Sequence, residues 1–217
     1  MTESRSIETV AEALAAAAPT LDEREQRQAL ELYRALMTGR PVSPEDLAAR
    51  AGVDVAEVES ALERWPGVFR DRRGRIVGFW GLAVRGMPHR LTSAAGSLTT
   101  WCALDPLLIA PLVTDEAQVE SVDPVSGAPI ALTVTPAGVR DASPSTTVVS
   151  MLAPAGPFGH DIVESFCHYV HFFASDETGR AWVADNPGTF ILPLDDAFEL
   201  AQRAWPSLFR QAVPAAE

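Results

Sequence analysis

The stretch Gly39-Arg40-Pro41-Val42-Ser43-Pro44-Glu45-Asp46 sets the architecture of the N-terminal third of the chain. Gly39 ends the helical pattern before it, because glycine readily takes the left-handed conformation that closes a helix. Ser43 is a favourable N-cap, Pro44 suits the first helical position, and Asp46 is an acid of the first turn. The stretch therefore predicts a tight connection between two helices.

Helical patterns lie on both sides of this connection. Apolar residues at helical spacing predict a short helix over residues 7–18 and a longer one over residues 21–38. Downstream, the same reasoning predicts a short helix over residues 44–50 and another over residues 55–65, which ends before a proline. Residues 21–65 thus have the order of a helix followed by a helix-turn-helix.

A predicted hairpin completes this part of the chain. The β-rich runs 68–71 and 75–80 flank Arg72-Arg73-Gly74, a turn-forming sequence. Helices followed by a hairpin are the order of a winged helix, which carries the hypothesis of DNA binding. The arginines available in such a wing are Arg70, Arg72, Arg73 and Arg75, and the alternative is that they are solvated residues of a hairpin turn.

The distribution of charge argues against a nucleic-acid partner. The predicted recognition helix, residues 54–64, carries four carboxylates and a single arginine, so it would oppose a phosphate backbone. Residues 1–90 hold 13 Arg and 14 Asp or Glu, whereas residues 91–217 hold 4 Arg and 15 Asp or Glu. We therefore predict a structural wing and no binding of nucleic acid.

Length and composition describe an ordinary folded protein. With 217 residues and 47% hydrophobic residues, the chain can bury a core. It contains no uninterrupted run of about 18 apolar residues, the length that a membrane-spanning helix needs. Glu3, Glu8 and Glu12 interrupt the N-terminal alanine-rich segment, so it does not have the pattern of a secretory signal. We expect a cytoplasmic protein without a membrane partner, in which thiols stay reduced.

The second part of the chain alternates short strands with helices. Strands are predicted over residues 82–84, 89–91, 119–122, 130–134, 146–152 and 189–193, and helices over residues 179–184 and 195–209. The apolar run 98–113 predicts a helix that begins around Ala103, with Asp105 as its only charge. In residues 162–174 helix and strand cannot be separated from the pattern.

The two cysteines and one aspartate are the candidate functional residues. Cys102 and Cys167 each lie in a strongly apolar segment, and Asp105 follows Cys102 by three positions, which is one helical turn. Two thiolates and a carboxylate favour a soft, thiophilic metal such as Hg(II) or Cu(I). The alternatives from the residues alone are that the cysteines are small core hydrophobes or a disulfide, and that Asp105 caps a helix.

The chain resembles the organomercurial (alkylmercury) lyases of bacterial mercury resistance. The resemblance rests on motifs that occur in the order and spacing of that family over roughly residues 20–210. They are Gly39-Arg40-Pro41-Val42-Ser43, Trp101-Cys102-Ala103-Leu104-Asp105, Ser126-Gly127-Ala128-Pro129, Leu132-Thr133-Val134, Ser165-Phe166-Cys167 and Val170-His171-Phe172-Phe173-Ala174-Ser175. The two cysteine motifs are long and specific.

The resemblance implies an α+β fold, with a winged-helix-like N-terminal part followed by a lyase domain of small antiparallel β-sheets packed with helices. We predict a helical extension over residues 1–20, the winged-helix-like domain over 21–85 and the catalytic domain over 86–217.

The resemblance also implies the site and its reaction, protonolysis of a carbon–mercury bond. The catalytic residues of the family fall on Cys102, Asp105 and Cys167, which would also hold the Hg(II) product. Trp101, Phe166 and Phe172, with Phe173, would form an apolar wall for the organic group. No cofactor is implied, external low-molecular-weight thiols would be needed for turnover, and Hg(II) could pass to a mercuric reductase.

Two positions depart from the family pattern. Many members carry a further cysteine where this chain has Asp123, and some carry a second cysteine where it has His168. Neither departure touches the three catalytic positions. The alternatives to a lyase are a protein of the same fold that binds Hg(II) or copper without cleavage, and a winged-helix regulator that responds to a metal.

Overall fold

The computed structural model describes residues 6–204 and Phe209, and these residues begin with four helices. The helices are α1 (Ile7–Ala17), α2 (Glu23–Leu36), α3 (Pro44–Ala51) and α4 (Val55–Arg64). Their ends follow from local chemistry. Asp22 forms a reciprocal capping box with Glu25 at the start of α2. Ser43 accepts a hydrogen bond from the Asp46 amide at the start of α3, and Gly52 closes that helix in the left-handed conformation. The predicted N-terminal helices are confirmed.

The rest of the described chain contains eleven strands and four further α-helices. In chain order these are β1 (Val68–Arg70), β2 (Ile76–Phe79), β3 (Leu82–Ala83), β4 (His89–Ser93), β5 (Gly96–Thr100), α5 (Leu104–Val113), β6 (Ala117–Val122), β7 (Pro129–Thr135), β8 (Gly138–Ser143), β9 (Val148–Leu152), α6 (Ile162–Ser165), β10 (Phe172–Phe173), α7 (Asp176–Asp185), β11 (Thr189–Pro193) and α8 (Leu194–Ala204). A single 3₁₀ turn, Cys167–Tyr169, follows α6.

The strands form two antiparallel sheets. The larger sheet has the order β1-β2-β3-β5-β4-β6-β7-β8, and the smaller has the order β10-β9-β11. The hairpin of the wing, β1 and β2, continues through β3 into β5, where Leu82 pairs with Thr100. The wing is thus the edge of the main sheet. The predicted fold class, a winged-helix-like part followed by antiparallel sheets and helices, is confirmed.

Several segments differ from the sequence prediction or extend it. β5 and β8 were not predicted; β8 lies at the sheet edge and contains no buried residue, so it lacks the apolar alternation of a half-buried strand. The ambiguous residues 162–174 contain a short helix, the 3₁₀ turn and a two-residue strand. For the last helix the structure describes Leu194–Ala204, so Trp205 and Leu208, predicted on its apolar face, lie outside the described residues.

α5 lies at the centre of the molecule. Residues 101–110 are all buried, and α5 packs against α2, α8 and β7. Because it is covered on several sides, this helix has no polar face, which explains its continuous apolar run. None of the helices in the described part of the chain combines the length and apolar character needed to span a bilayer.

Asp123 joins the β6–β7 turn to the start of α7. Its carboxylate accepts hydrogen bonds from the amides of Val125 and Ser126 at 2.8 and 3.0 Å, from the amide of Ala174 at 2.8 Å and from the Thr178 hydroxyl at 2.7 Å. Burial acts to raise the pKa of Asp123, but these hydrogen bonds outweigh it and hold the pKa below its ordinary value.

We expect Asp123→Ala to lower the free energy of unfolding by about 3 kcal/mol, because four hydrogen-bond donors lose a charged acceptor that is itself buried. For a chain of this size the melting temperature should fall by roughly 6–12 °C. The folded-state pKa is depressed, so the contribution of Asp123 is present above the unfolded-state pKa and is lost as the pH falls through the folded-state value. Thermal unfolding between pH 3 and pH 7 measures both effects, with the exposed Asp115→Ala as control. Equal melting temperatures for the two variants at pH 7 would contradict this role.

Candidate active site

The predicted catalytic residues come from two segments that backbone hydrogen bonds hold together. Cys102 lies between β5 and α5, Asp105 is in the first turn of α5, and Cys167 begins the 3₁₀ turn. The Trp101 amide donates to the Gly81 carbonyl at 2.9 Å, and the Ala103 amide donates to the Val170 carbonyl at 3.1 Å. The chain on each side of Cys102 is therefore fixed, on one side to the β2–β3 turn and on the other to the segment that follows Cys167.

The three functional groups converge in the interior. The sulfurs of Cys102 and Cys167 and a carboxylate oxygen of Asp105 all lie within 4.8 Å of one another. The exposed fractions of these residues are 0%, 3% and 8%, and both cysteines are free thiols. Asp105 also accepts a hydrogen bond from the Cys102 amide, with an N–O distance of 2.6 Å. Its carboxylate thus holds the Cys102 backbone in place and also lies beside both thiols.

Burial and the charge of Asp105 keep both thiols protonated at neutral pH. Burial raises the pKa of the Cys102 thiol well above its ordinary value, and its hydrogen bond to Cys167 and the charge of Asp105 add to the rise. The hydrogen bond from Cys102 favours the Cys167 thiolate, but burial and the Asp105 charge outweigh it, so the pKa of Cys167 is also raised. Burial raises the pKa of Asp105 to about 7. Asp105 can therefore both accept and donate a proton near neutrality.

The buried Asp105 carboxylate should cost stability above neutral pH. Its folded-state pKa is about 7 against an ordinary 3.8, so ionisation disfavours the folded state progressively as the pH rises from about 4 to about 7. We expect Asp105→Asn, which keeps the size of the side chain, to raise the free energy of unfolding at pH 8 by about 4 kcal/mol. Most of this gain should disappear at pH 4, where the wild-type acid is protonated on folding. Denaturant unfolding at the two pH values tests the difference, and an equal effect at both would contradict it.

A small apolar cavity adjoins two of the three groups, Asp105 and Cys167. Apart from Asp105 and Cys167, its walls are almost entirely apolar. The lining residues are Leu14, Trp80, Gly81, Trp101, Leu104, Asp105, Leu108, Phe158, Ile162, Phe166, Cys167 and Ala204. The cavity is therefore suited to an apolar group placed next to a proton donor and a thiol.

The predicted aromatic wall is only partly in this cavity. Trp101 and Phe166 line it. Phe172 and Phe173 are fully buried in the core but are not among the lining residues: Phe172 packs edge-on against His89 at 5.5 Å, and Phe173 packs against Trp182 at 6.1 Å.

Sequence reasoning missed two lining residues in the β2–β3 turn. The predicted strand 75–80 ends at Trp80, and Gly81 lies between it and the next predicted strand, 82–84. A Cβ added to Gly81 would lie 2.5 Å from Asp105 Oδ1 and 2.7 Å from its Cγ, so this glycine lets the carboxylate take its place. The only signal in the sequence was a glycine directly after the hairpin, which by itself marks many ordinary turns.

Fold and site together define a class of protein. A winged-helix-like part joined to an antiparallel sheet encloses two buried thiols, and a carboxylic acid that titrates near neutrality lies beside them. Two thiols of this kind select a thiophilic metal, and the acid adds proton transfer to metal binding. The class is that of enzymes that act on a bond to a thiophilic metal.

Comparison with known proteins identifies the family within this class. The family model described as alkylmercury lyase matches residues 82–205, and the model described as the helix-turn-helix domain of alkylmercury lyase matches residues 26–80. An alkylmercury lyase of Pseudomonas putida is 42% identical over 170 residues, which is 78% of each chain. An alkylmercury lyase of Staphylococcus epidermidis is 37% identical over 171 residues, which is 79% of this chain and 78% of the relative.

A solved structure supports the fold. The crystal structure of the mercury-bound form of MerB2 superposes with a TM-score of 0.71 at 22% identity, and the match covers 93% of this chain and 98% of that one. With the two family models and the relatives, the chain belongs to the alkylmercury lyase family. It is accordingly a carbon–mercury lyase, and the alternatives of a binding protein and a regulator are not favoured.

Proposed function

We propose that Cys102, Asp105 and Cys167 carry out the protonolysis of the carbon–mercury bond of organomercurials, giving a hydrocarbon and Hg(II). The observation that carries the proposal is the convergence of two buried thiols and one buried acid within 4.8 Å, with Cys167 and Asp105 at the wall of an apolar cavity. Thiols supply the ligands that mercury prefers, the acid supplies the proton, and the apolar cavity accepts the organic group.

The reaction begins with thiol exchange. The substrate arrives as R–Hg–SR′, the adduct of an organomercury cation with a small thiol. One cysteine replaces SR′ on mercury, and R′SH leaves with the proton of that cysteine. Although the pKa of both thiols is raised, exchange does not require a free cysteine thiolate, because the leaving thiolate takes up the proton that the cysteine loses.

The second cysteine and Asp105 complete the cleavage. The ionised Asp105 takes the proton of the second thiol, whose sulfur then bonds to mercury and increases electron density on the bound carbon. Asp105 delivers that proton to the carbon, which keeps the electron pair of the carbon–mercury bond and leaves as R–H. Mercury remains Hg(II), bonded to both sulfurs, so no oxidant or reductant is consumed. A pKa of about 7 suits Asp105 to both halves of this transfer.

Mercury is therefore substrate and product, and the proposal includes no resident metal or organic cofactor. External low-molecular-weight thiols deliver the organomercurial and remove Hg(II) from the two sulfurs, and a mercuric reductase is the proposed acceptor of that Hg(II). The proposed location is the cytoplasm, a reducing compartment that would keep Cys102 and Cys167 reduced.

The proposal includes no nucleic-acid partner, although the N-terminal part has the order of a winged helix. Two wing arginines have carboxylate partners: Arg70 pairs with Glu59 of α4 at 2.6 Å, and Arg75 pairs with Asp71 at 2.7 Å. The pairing reduces the positive charge that the wing could offer to phosphates. These pairs support a structural wing.

We expect Cys102→Ser and Cys167→Ser each to lower the rate of hydrocarbon release by at least about 1,000-fold, because each removes a sulfur that mercury must bond. The measurement is methane from methylmercury, in excess thiol, by gas chromatography. Titration with Hg(II) provides the second readout: the wild type should retain one ion per chain against a competing monothiol, and either variant should lose it. Retention of Hg(II) by a wild type that releases no methane would instead indicate a binding protein of the same fold.

A further inference from the structure

Ser150 is a polar residue in the middle of a buried strand. It lies on β9 between Val149 and Met151, and all three residues are 0% exposed. A hydroxyl in such surroundings costs free energy unless it is hydrogen-bonded, because it has lost contact with water. The partners of this hydroxyl therefore show what the serine does in the strand.

These partners are the residues that follow the Cys167 turn. The Ser150 hydroxyl donates to the Tyr169 carbonyl at 2.7 Å and accepts from the His171 amide at 2.9 Å. The Ser150 amide donates to the His171 carbonyl at 3.0 Å. The regular pairing of β9 with β10 begins one residue later, at Phe172. The Ser150 side chain thus extends the attachment to β9 back toward Cys167.

The Cys167 turn depends on attachments of this kind. It is a single 3₁₀ turn of three residues, and 3₁₀ hydrogen bonds have poorer geometry than those of an α-helix. The flanking residues, Phe166 and Val170, both leave the helical conformation, so no longer helix runs through this described turn. The position of the Cys167 sulfur is therefore set by contacts with other elements.

Val170 connects the same segment to the other cysteine. Its carbonyl accepts a hydrogen bond from the amide of Ala103, the residue after Cys102, at 3.1 Å. Two successive carbonyls, those of Tyr169 and Val170, are thus bound to β9 and to the Cys102 segment. The first bond fixes the segment to a strand of the small sheet, and the second fixes its distance from Cys102. The result is that the two cysteine sulfurs lie within 4.8 Å of each other.

We propose that Ser150 positions the second sulfur for mercury: its hydroxyl holds the segment after Cys167 so that both sulfurs can bond one ion. This inference rests on the proposed function, because a fixed separation matters only if both sulfurs bond the same mercury. Ser150 is not among the residues that line the cavity, and it acts through Cys167. A second ligand that is already in place binds as if at high effective concentration, and this advantage is lost when the geometry is lost.

The test separates binding by two sulfurs from binding by one. It uses full-length Asp105→Asn, which keeps both sulfurs but should not cleave, with and without Ser150→Ala. Hg(II) bonds to both cysteines, whereas methylmercury bonds to only one because its carbon occupies the other position. Both affinities are measured by competition with a small monothiol. We expect Ser150→Ala to lower the affinity for Hg(II) by about 10- to 100-fold and the affinity for methylmercury by less than about twofold.

Thr189→Val is the matched control, because it removes a buried hydroxyl from the same small sheet. Thr189 donates to the Asn186 carbonyl at 2.6 Å, and this carbonyl belongs to neither cysteine segment. The control should keep the Hg(II) affinity of the Asp105→Asn background. An equal loss of affinity for Hg(II) and methylmercury in Ser150→Ala, or no loss for either, would overturn the inference.

Hydrogen exchange in the wild type gives a test that does not depend on the folding of a variant. Without mercury, the His171 amide should be protected as strongly as the amides of β9, because Ser150 already binds it. Fast exchange at His171 before Hg(II) is added would show that the segment is not held in advance and would overturn the inference. A wild type that passes both tests but releases no methane would refute the proposed cleavage and leave the positioning by Ser150 intact.

Discussion

Asp105→Asn is expected to lower hydrocarbon release by about 100- to 10,000-fold, the usual contribution of a positioned acid–base group. Asparagine keeps the size of the side chain, and its carbonyl oxygen can still accept the hydrogen bond from the Cys102 amide. It cannot take a proton from a thiol or deliver one to carbon. Both sulfurs remain, so the variant should still bind one Hg(II) per chain. The measurements are methane release and Hg(II) titration on the same preparation.

The pH dependence of the wild type provides a second readout for Asp105. Ionised Asp105 accepts the thiol proton, so activity should rise as the pH increases through about 7, the pKa of this group. The exposed Asp115→Asn is the control for loss of one carboxylate and should match the wild type throughout. Full wild-type activity at pH 5, or an Asp105→Asn variant that releases methane at the wild-type rate, would rule out the proposed proton transfer. Because Asp105→Asn should be more stable than the wild type at pH 8, a loss of its activity through the missing acid can be distinguished from a loss through misfolding.

Gly81→Ala is expected to reduce hydrocarbon release by about 100-fold or more, although Gly81 takes no part in the chemistry. The added methyl group would lie 2.5 Å from Asp105 Oδ1 and 2.9 Å from Ile109 Cδ1, so the carboxylate has to move. A displacement of about 1 Å at a reacting group can cost on the order of 100-fold in rate. Alanine at a φ of 94° adds backbone strain of about 1–2 kcal/mol. The rate of methane release and the free energy of unfolding should both fall.

Gly86→Ala is the matched control for this effect. Gly86 has a φ of 89°, close to that of Gly81, but no atom lies within 4 Å of the Cβ position. The two variants share the backbone strain, and only Gly81→Ala carries the clash with Asp105. We therefore expect Gly86→Ala to lose stability but keep its rate per folded molecule. Equal rates for the two variants would show that the β2–β3 turn does not position the acid.

Much of the fold followed from local sequence signals. The N-terminal helices begin and end at caps such as Asp22, Ser43 and Gly52. A cap depends on residues that are close in the sequence, so helix ends of this kind can be predicted from the sequence. β8 was missed because an exposed edge strand has no apolar alternation to detect. The segment that contains Cys167 was ambiguous because its conformation depends on contacts such as the Ser150 hydroxyl bond to the Tyr169 carbonyl, which joins residues 19 positions apart.

The sequence by itself determined the identity of the candidate groups: two cysteines, an aspartate one helical turn from the first, and motifs that resemble one family. Only the tertiary structure decided that the three groups meet within 4.8 Å and that burial raises the pKa of Asp105 to about 7. It also revealed that Trp80 and Gly81 shape the space around that acid. The reason is physical. Residue type and spacing act locally, whereas solvent exclusion, charge interaction and cavity size depend on segments that the fold brings together from distant parts of the chain.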